Sequence, residues 1–247
     1  MEMKRLLSCV ALLLLPLGGA HAAANGPYSC GQIECDRVDI DLGDQASLQR
    51  GARIFVNYCL SCHSASYMRY NRMGRDLGIS EELVKENLLF AADKVGDPMK
   101  AVMRREDGAA WFGTAPPDLT LVTRWRTPDW VYTYMRSFYR DSSSPSGWNN
   151  VVFANVAMPH VLYEWQGEQR PVYDDNHRFV RFELERQGSQ TPQEFDRAMR
   201  DLTNFLVYLG EPAKLERYRI GVWVILFLLV FLVVAYLLKK EYWKDVH

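Results

Sequence analysis

Two cysteines and a histidine lie within five consecutive residues, Cys59-Leu60-Ser61-Cys62-His63. Two cysteines three residues apart on a helical turn can both reach the vinyl groups along one edge of a porphyrin, and the adjacent histidine can then turn its ring toward the iron. Such a domain arranges its core around the cofactor, because thioether bonds fix the macrocycle to one turn of backbone. The motif therefore predicts a c-type haem attached at Cys59 and Cys62, with His63 as an iron ligand.

Three other uses of the two motif cysteines fit the sequence less well. A zinc site with Cys30 and Cys35 as further ligands leaves the adjacent His63 unexplained, and structural zinc sites usually have close ligand spacing on both arms. A thioredoxin-like redox pair would follow a strand within a βαβ pattern, which this sequence lacks. A disulfide between Cys59 and Cys62 would close a very short loop.

Residues 1–24 have the layout of a secretory signal peptide. Lys4 and Arg5 precede an apolar run from Leu6 to Leu17, and small residues follow as far as Ala24. The run has about a dozen residues, fewer than the ~20 of a membrane-spanning helix, so a cleaved signal is favoured over an anchor. We therefore expect the chain from residue 25 onward to be exported to the periplasm of a bacterium.

Nineteen residues from Ile220 to Leu238 carry no charge. As a helix they span ~28 Å, close to the ~30 Å hydrocarbon core of a bilayer. A buried helix of a soluble domain would seldom be apolar on every face. We predict a membrane anchor over residues 219–239 and a cytoplasmic tail over residues 240–247. The chain would then be a single-pass protein of the inner membrane, with residues 25–218 forming a haem domain in the periplasm.

Capping residues and apolar periodicity predict helices in the exported segment. Asp44 precedes a helix that runs to the haem motif, and Ser80 is predicted to cap a short helix that ends near residue 94. Thr127, followed by proline, opens a helix that ends near residue 139. Thr191 begins a capping-box pattern whose helix ends at Gly210.

The remaining segments are predicted to be loops, and no convincing run of strands is visible. Residues 64–79 and 95–126 are polar or contain Pro116-Pro117, which excludes regular helix at that point. Residues 141–190 form a connection that is unusually long for a compact domain unless it carries function. The predicted fold class is mainly α, a class I-like cytochrome c domain with long loops around one haem, plus one C-terminal transmembrane helix.

The sixth position on the iron separates electron transfer from other haem chemistry. A methionine there favours electron transfer at a raised potential, whereas an open site suits gas binding or peroxidase chemistry. Met158 lies in the long connection immediately before Pro159, where a fixed turn can present its sulfur. His160 is a competing ligand that would give a bis-histidine haem, and His177 is a weaker one. Both alternatives stay open on the residues alone.

Cys30 and Cys35 are separated by four residues. In an oxidising periplasm they can close as a disulfide, and two unpaired thiols are the alternative. The compartment slightly favours the bridge.

The order of motifs along the chain resembles the cytochrome c1 family, the haem-carrying subunit of the ubiquinol–cytochrome c reductase (cytochrome bc1 complex). The resemblance covers nearly the whole mature chain. A c-type haem motif alone is common to many cytochromes, whereas this order of motifs is far more specific. After the haem motif come Ala115-Pro116-Pro117-Asp118-Leu119 and Arg124, Met158-Pro159, Asp201–Leu206, and Glu211-Pro212 directly before the apolar span.

The resemblance assigns a role to several residues. It implies one covalent haem c held by the motif cysteines, with the motif histidine as proximal ligand and Met158 as distal ligand. Arg124 is similar to the family's arginine near a haem propionate, with Arg126 close enough to be the alternative. Pro117 belongs to a segment that lines the proximal side, where a backbone carbonyl could fix the histidine tautomer. The Cys30–Cys35 pair is a departure that the resemblance does not explain.

The resemblance also implies an electron-transfer subunit of a membrane complex that contains cytochrome b. Electrons would arrive from the Rieske iron–sulfur protein and leave to a soluble or tethered c-type cytochrome, so the chain alone catalyses nothing. The formal net charge of -1 gives no sign of nucleic-acid binding. The alternative is a membrane-anchored cytochrome that acts alone as an electron shuttle or serves an oxidase. The charged, inflexible segment from Gly210 to Tyr218 favours a rigidly mounted subunit.

Overall fold

The computed structural model describes residues 29–31 and 33–244, so the predicted signal peptide and residues 245–247 lie outside the described residues. Within them helices predominate, and the strands form three two-stranded antiparallel sheets. The helices are α1 (Gln45–Ile54), α2 (Tyr70–Asp76), α3 (Glu81–Asn87), α4 (Arg105–Phe112), α5 (Val122–Trp125), α6 (Pro128–Arg136), α7 (Tyr163–Gln166), α8 (Pro192–Gly210) and α9 (Lys214–Tyr242). The strands are β1 (Ala65–Arg69), β2 (Pro98–Met99), β3 (Phe138–Arg140), β4 (Trp148–Asn150), β5 (Gly167–Tyr173) and β6 (Phe179–Gln187), paired β1 with β2, β3 with β4, and β5 with β6.

Helices α1 and α8, far apart in the sequence, cross at Gly51. A Cβ atom there would lie 2.2 Å from the carbonyl oxygen of Asp201 and 2.6 Å from the Cβ of Phe205, so only glycine permits this approach. The buried Asp201 carboxylate accepts hydrogen bonds from the Ser47 hydroxyl at 2.7 Å and from Arg50 Nε at 2.6 Å. A buried charge that is paired in this way stabilises one crossing geometry, because an unpaired one would be costly.

The four predicted helix starts are confirmed by their caps, among them Ser80, whose hydroxyl accepts a hydrogen bond from the backbone N–H of Leu83 at the start of α3. The Asp44 carboxylate accepts a hydrogen bond from the backbone N–H of Ser47 at 2.9 Å, which begins α1. Thr127 caps α6 in the same way, with Pro128 at the first helical position. Thr191 and Glu194 form the reciprocal capping box of α8. These contacts are local in sequence, which is why the pattern predicts them well.

Several boundaries differ from the prediction. Helix α3 ends at Asn87 rather than near residue 94, because the following segment pairs with the start of α2 instead. The backbone N–H of Asn71 donates to the carbonyl of Val95 at 2.7 Å. The segments predicted as loops over 64–79 and 95–126 contain β1, α2, β2, α4 and α5. Helix α6 ends at Arg136, and the chain then enters β3.

The prediction that the 141–190 connection lacks strands is wrong. It contains β4, the short α7 and the β5–β6 hairpin, which is the longest sheet pairing in the described chain. Arg170 pairs across the hairpin with Glu183 at 2.6 Å. A Cβ at Gly167, where φ is +90°, would lie 2.2 Å from the carbonyl oxygen of Arg186. Charged side chains on the strands concealed the alternation that usually identifies a half-buried strand.

Cys30 and Cys35 form a disulfide, which confirms the favoured interpretation and removes these sulfurs from any zinc site with the haem motif. Cys30 is buried in the core. Gly31, at φ +67°, packs its backbone against the carbonyl groups of Val151 and Val152, where a Cβ would lie within 3.0–3.1 Å.

Helix α9 is the one helix of the described chain that is long and apolar enough to cross a membrane. None of its residues is buried against the rest of the chain. The prediction of a single C-terminal transmembrane helix and a mainly α domain is confirmed, and the helix extends beyond the predicted 219–239 at both ends. It is a membrane anchor.

Candidate functional site

A segment of π-helix leads directly into the predicted haem motif. It spans Phe55–Cys59, and the backbone N–H of Leu60 donates to the carbonyl of Phe55 at 2.9 Å, five residues earlier. The chain then turns so that the backbone N–H groups of Cys62 and His63 both donate to the carbonyl of Cys59, at 3.1 and 2.8 Å. Single π-helical turns often mark functional sites, because they re-aim the side chains that follow.

The two motif cysteines are not bonded to each other or to another cysteine. Cys59 is buried and Cys62 is partly exposed. Burial, with a smaller contribution from the neighbouring Cys62, raises the pKa of the Cys59 thiol to about 12. Both sulfurs lie at the cavity wall, where each can bond to a group that fills the cavity.

A hydrogen bond sets the protonation of the His63 ring. Its Nδ1 lies 2.8 Å from the backbone carbonyl oxygen of Pro117. Because a carbonyl can only accept, Nδ1 carries the hydrogen and Nε2 keeps its lone pair. Burial lowers the pKa of His63, which the contact with the Pro117 carbonyl partly opposes. The ring is therefore a neutral imidazole with one nitrogen free to bind a metal.

A cavity of about 330 Å³ opens beside the motif. Its volume falls in the range of cofactor sites, which are mostly apolar with a few placed polar groups. The walls come from the motif, the Pro116–Leu119 segment, helices α5, α6 and α8, and the loop before α7. They include Cys59, Cys62, His63, Pro117, Trp125, Arg126, Trp130, Tyr134, Met135, Phe153, Met158, Leu202 and Leu206. These wall residues fit a flat apolar macrocycle that is bonded to two cysteines.

Met158 lines this cavity from the long connection. The hydroxyl of Tyr134 on α6 donates a hydrogen bond to the Met158 sulfur at 3.4 Å. The cavity therefore holds a neutral imidazole and a thioether among its wall residues.

The two competing histidines are placed elsewhere. His160 is buried in an aromatic cluster, with its ring stacked on Phe138 at 4.9 Å and edge-on to Trp148 at 5.1 Å. Burial lowers the pKa of His160 to about 4, so this ring is also neutral. His177 lies in the turn of the β5–β6 hairpin, where its φ is 57°. Neither of these side chains is part of the cavity wall.

The two arginines proposed for a propionate contact lie in different surroundings. Arg124 donates to the Glu211 carboxylate at 2.9 Å and does not line the cavity. Arg126 does line it, and its guanidinium carbon lies 4.3 Å and 4.5 Å from the ring centroids of Trp125 and Trp130. The resemblance favoured Arg124 for the propionate contact, whereas the arginine in the cavity wall is Arg126.

Sequence reasoning missed several residues of the wall. Tyr134 and Trp130 stack on each other along α6, with ring centroids 4.9 Å apart. Leu202 and Leu206 belong to the apolar face of α8. The apolar periodicity of the two helices indicated faces that are buried, but it could not indicate that these faces meet a cofactor cavity rather than each other.

The model of the Cytochrome C1 family matches residues 40–246. The chain is 51% identical to "Cytochrome c1" of Allochromatium vinosum, over 99% of this chain and the whole of that protein. It is 45% identical to "Ammonia monooxygenase gamma subunit" of Nitrosomonas europaea, over 96% of this chain and 97% of that protein. It is 27% identical to "Cytochrome c1" of Rhodospirillum rubrum, over 95% of this chain and 94% of that protein.

Proposed function

This chain belongs to the cytochrome c1 family, and on that premise we propose how its residues hold one haem c and pass electrons within the cytochrome bc1 complex. It is the electron-transfer subunit of that complex and binds the haem covalently. The observation that carries the residue assignment is the single cavity lined by Cys59, Cys62, His63 and Met158. The family match does not favour a stand-alone shuttle or oxidase subunit.

We assign the attachment and the axial ligands to this cavity. Cys59 and Cys62 would hold the haem through thioether bonds, and His63 would bind the iron through Nε2 because Pro117 holds the hydrogen on Nδ1. Met158 would supply the sulfur ligand to the iron, and a methionine ligand favours the reduced state and raises the potential. When bound, haem c supplies a one-electron couple. The surrounding apolar side chains exclude water, so that little solvent reorganises when the charge changes.

We propose that Arg126, rather than Arg124, faces a haem propionate. A carboxylate in an apolar cavity needs a cation beside it, and Arg126 is the arginine in the wall. Arg124 is engaged by Glu211 at the end of α8. This assignment replaces the one that the resemblance suggested.

Arg126→Gln is expected to lower the midpoint potential of the haem, because removal of a nearby positive charge favours the more positive ferric state. Arg124→Gln is the matched control, two residues away, and should leave the potential close to that of the wild type. Redox titration of the purified holoprotein measures both. A lowered potential in the Arg124 variant alone would restore the original assignment.

We propose that cytochrome b and the Rieske protein are direct partners, that a c-type cytochrome accepts the electrons, and that the haem domain lies in the periplasm of a bacterium. The family supports membership of the complex, and α9 supports a membrane anchor. No residue of the apolar helix α9 is buried against the rest of the described chain, which leaves its faces available for packing against another membrane protein; lipid alone would leave the helix free to tilt and rotate.

Extraction of native membranes in mild detergent tests this assembly. The chain is expected to migrate in a large complex with a di-haem cytochrome b and a Rieske protein.

The orientation in the membrane is tested separately. Protease added to spheroplasts should release a haem-bearing fragment that ends before Ile220. A chain truncated after Ile220 should remain a spectrally normal soluble cytochrome but fail to support quinol oxidation in membranes. Migration of the native protein as a monomer that still reduces soluble carriers would favour the shuttle, and protection of the haem domain in intact spheroplasts would invert the topology.

A further inference from the structure

We propose that the Tyr134 hydroxyl is a positioning and tuning group for the Met158 sulfur, and that it raises the midpoint potential of the haem through their hydrogen bond. The inference rests on the proposed function, because it takes Met158 as the distal ligand. It adds a residue on α6 to the site, with a defined effect on the redox couple.

The contact itself is specific. The Tyr134 hydroxyl lies 3.4 Å from the Met158 sulfur, and both side chains line the cavity. A second tyrosine near a sulfur, Tyr208, provides a contrast. Its hydroxyl is 3.9 Å from the Met68 sulfur but 3.0 Å from the Asp76 carboxylate, which is the much stronger acceptor. The Tyr134 hydroxyl, by contrast, donates to the Met158 sulfur.

Two aromatic neighbours pack against the Tyr134 ring. It stacks on Trp130 with centroids 4.9 Å apart and an interplanar angle of 9°. It meets Phe138 edge-on at 5.0 Å. A ring fixed in this way pays little further entropy to aim its hydroxyl, since its rotamer is already set by packing.

The loop that carries Met158 is tied to the same helical turn. Asn150 Nδ2 donates to the backbone carbonyl of Tyr134 at 2.8 Å. The other end of the Asn150 amide, Oδ1, accepts hydrogen bonds from the backbone N–H groups of Val152 and Phe153 at 2.9 and 3.2 Å. Asn150 therefore connects the backbone of Tyr134 to the start of the loop that carries Met158, which fixes the position of the loop relative to the Tyr134 hydroxyl.

A hydrogen bond to the Met158 thioether changes how strongly its sulfur donates electrons to a bound iron. The sulfur has two lone pairs, one of which can bind a metal while the other accepts a weak hydrogen bond. A hydroxyl that donates to the second lone pair withdraws electron density from the sulfur. The sulfur then stabilises ferric iron less, which raises the potential, as hydrogen bonds to a ligand commonly do.

Tyr134→Phe in the full-length holoprotein removes the hydroxyl and keeps the ring. We expect the ferric/ferrous equilibrium to shift about two- to tenfold toward ferric, the range of a net hydrogen bond. A tenfold shift corresponds to about 59 mV for one electron. The long-wavelength charge-transfer band of methionine-ligated ferric haem should persist and move, because Met158 remains bound.

Tyr132→Phe is the matched control. Tyr132 lies on the same helix, with its ring 4.6 Å from the Arg136 guanidinium and outside the cavity wall. It should have the potential and the band of the wild type. Equal shifts in both variants, or no shift in Tyr134→Phe, would overturn the inference. Replacement of Tyr134 by a fluorinated tyrosine, whose hydroxyl is a better donor, should raise the potential above that of the wild type. A fall or no change there would overturn it as well.

Met158→Leu separates this inference from the function it rests on. If Met158 is the distal ligand, this variant loses the charge-transfer band and its potential falls further than that of Tyr134→Phe. A band removed by Met158→Leu, together with an unchanged Tyr134→Phe, would reject the role of Tyr134 alone. A band that survives Met158→Leu would reject both the ligand assignment and the inference.

Discussion

Replacement of both Cys59 and Cys62 by alanine is expected to abolish covalent haem completely. These are the two free thiols of the described chain, and both lie in the cavity wall. Without thioether bonds the haem is held only by its axial ligands and the apolar walls, and acid–acetone treatment removes haem held in that way. Haem staining after denaturing electrophoresis, together with acid–acetone extraction, measures the loss.

The apoprotein of this variant should also accumulate poorly. An apolar cavity of about 330 Å³ that stays unfilled leaves its lining side chains without contacts on one side. Cys30→Ala combined with Cys35→Ala is the matched control, because it also removes two cysteines but leaves the cavity intact. That variant should still stain for haem. Haem that withstands acid–acetone in the Cys59 and Cys62 variant would contradict the attachment.

Gly51→Val is expected to destabilise the haem domain by about 3 kcal/mol or more, at the upper end of overpacking effects. The added Cβ would lie 2.2 Å from the backbone carbonyl of Asp201, which cannot move away as a flexible side chain could. Helices α1 and α8 would have to separate, and the Ser47 and Arg50 bonds to the Asp201 carboxylate would lengthen. Since a domain of this size has a free energy of unfolding of only about 5–15 kcal/mol, the folded population should fall strongly.

Gly96→Val is the control for this substitution. A Cβ at Gly96 meets no atom within 4 Å, so the change in unfolding free energy should stay within about 0.5 kcal/mol. Denaturant unfolding of the two holoproteins, followed by circular dichroism, compares them. Equal midpoints would show that the α1–α8 crossing tolerates a side chain at Gly51.

Features that depend on neighbouring residues could be predicted from the sequence. The helix starts at Asp44, Thr127 and Thr191 follow from side chains that bond to backbone groups three residues away. The membrane anchor follows from composition alone, because a bilayer demands a continuous apolar run. The disulfide of Cys30 and Cys35 follows from short spacing and an oxidising compartment.

Features that depend on the packing of distant segments could not be predicted. Arg124 and Arg126 are two residues apart, and their difference arises because the chain leaves helix α5 at Arg126 with extended backbone angles. The contact between Tyr134 and Met158 joins a helix to a loop 24 residues away, and nothing in either local pattern indicates the partner. The β5–β6 hairpin was missed because tertiary contacts support strands whose own alternation is weak.

The length of α9 has a mechanical consequence. Its 29 residues form a rod about 44 Å long, some 14 Å longer than the hydrocarbon layer that it crosses. The carboxylate of Glu211 forms ion pairs with Arg124 of the haem domain at 2.9 Å and with Arg217 of α9 at 2.7 Å. These two ion pairs connect the end of the haem domain to the first turn of the membrane helix. Any change in the tilt of the rod or in the thickness of the bilayer would be transmitted as a change in the height of the haem above the membrane, and hence in the distance that an electron must travel.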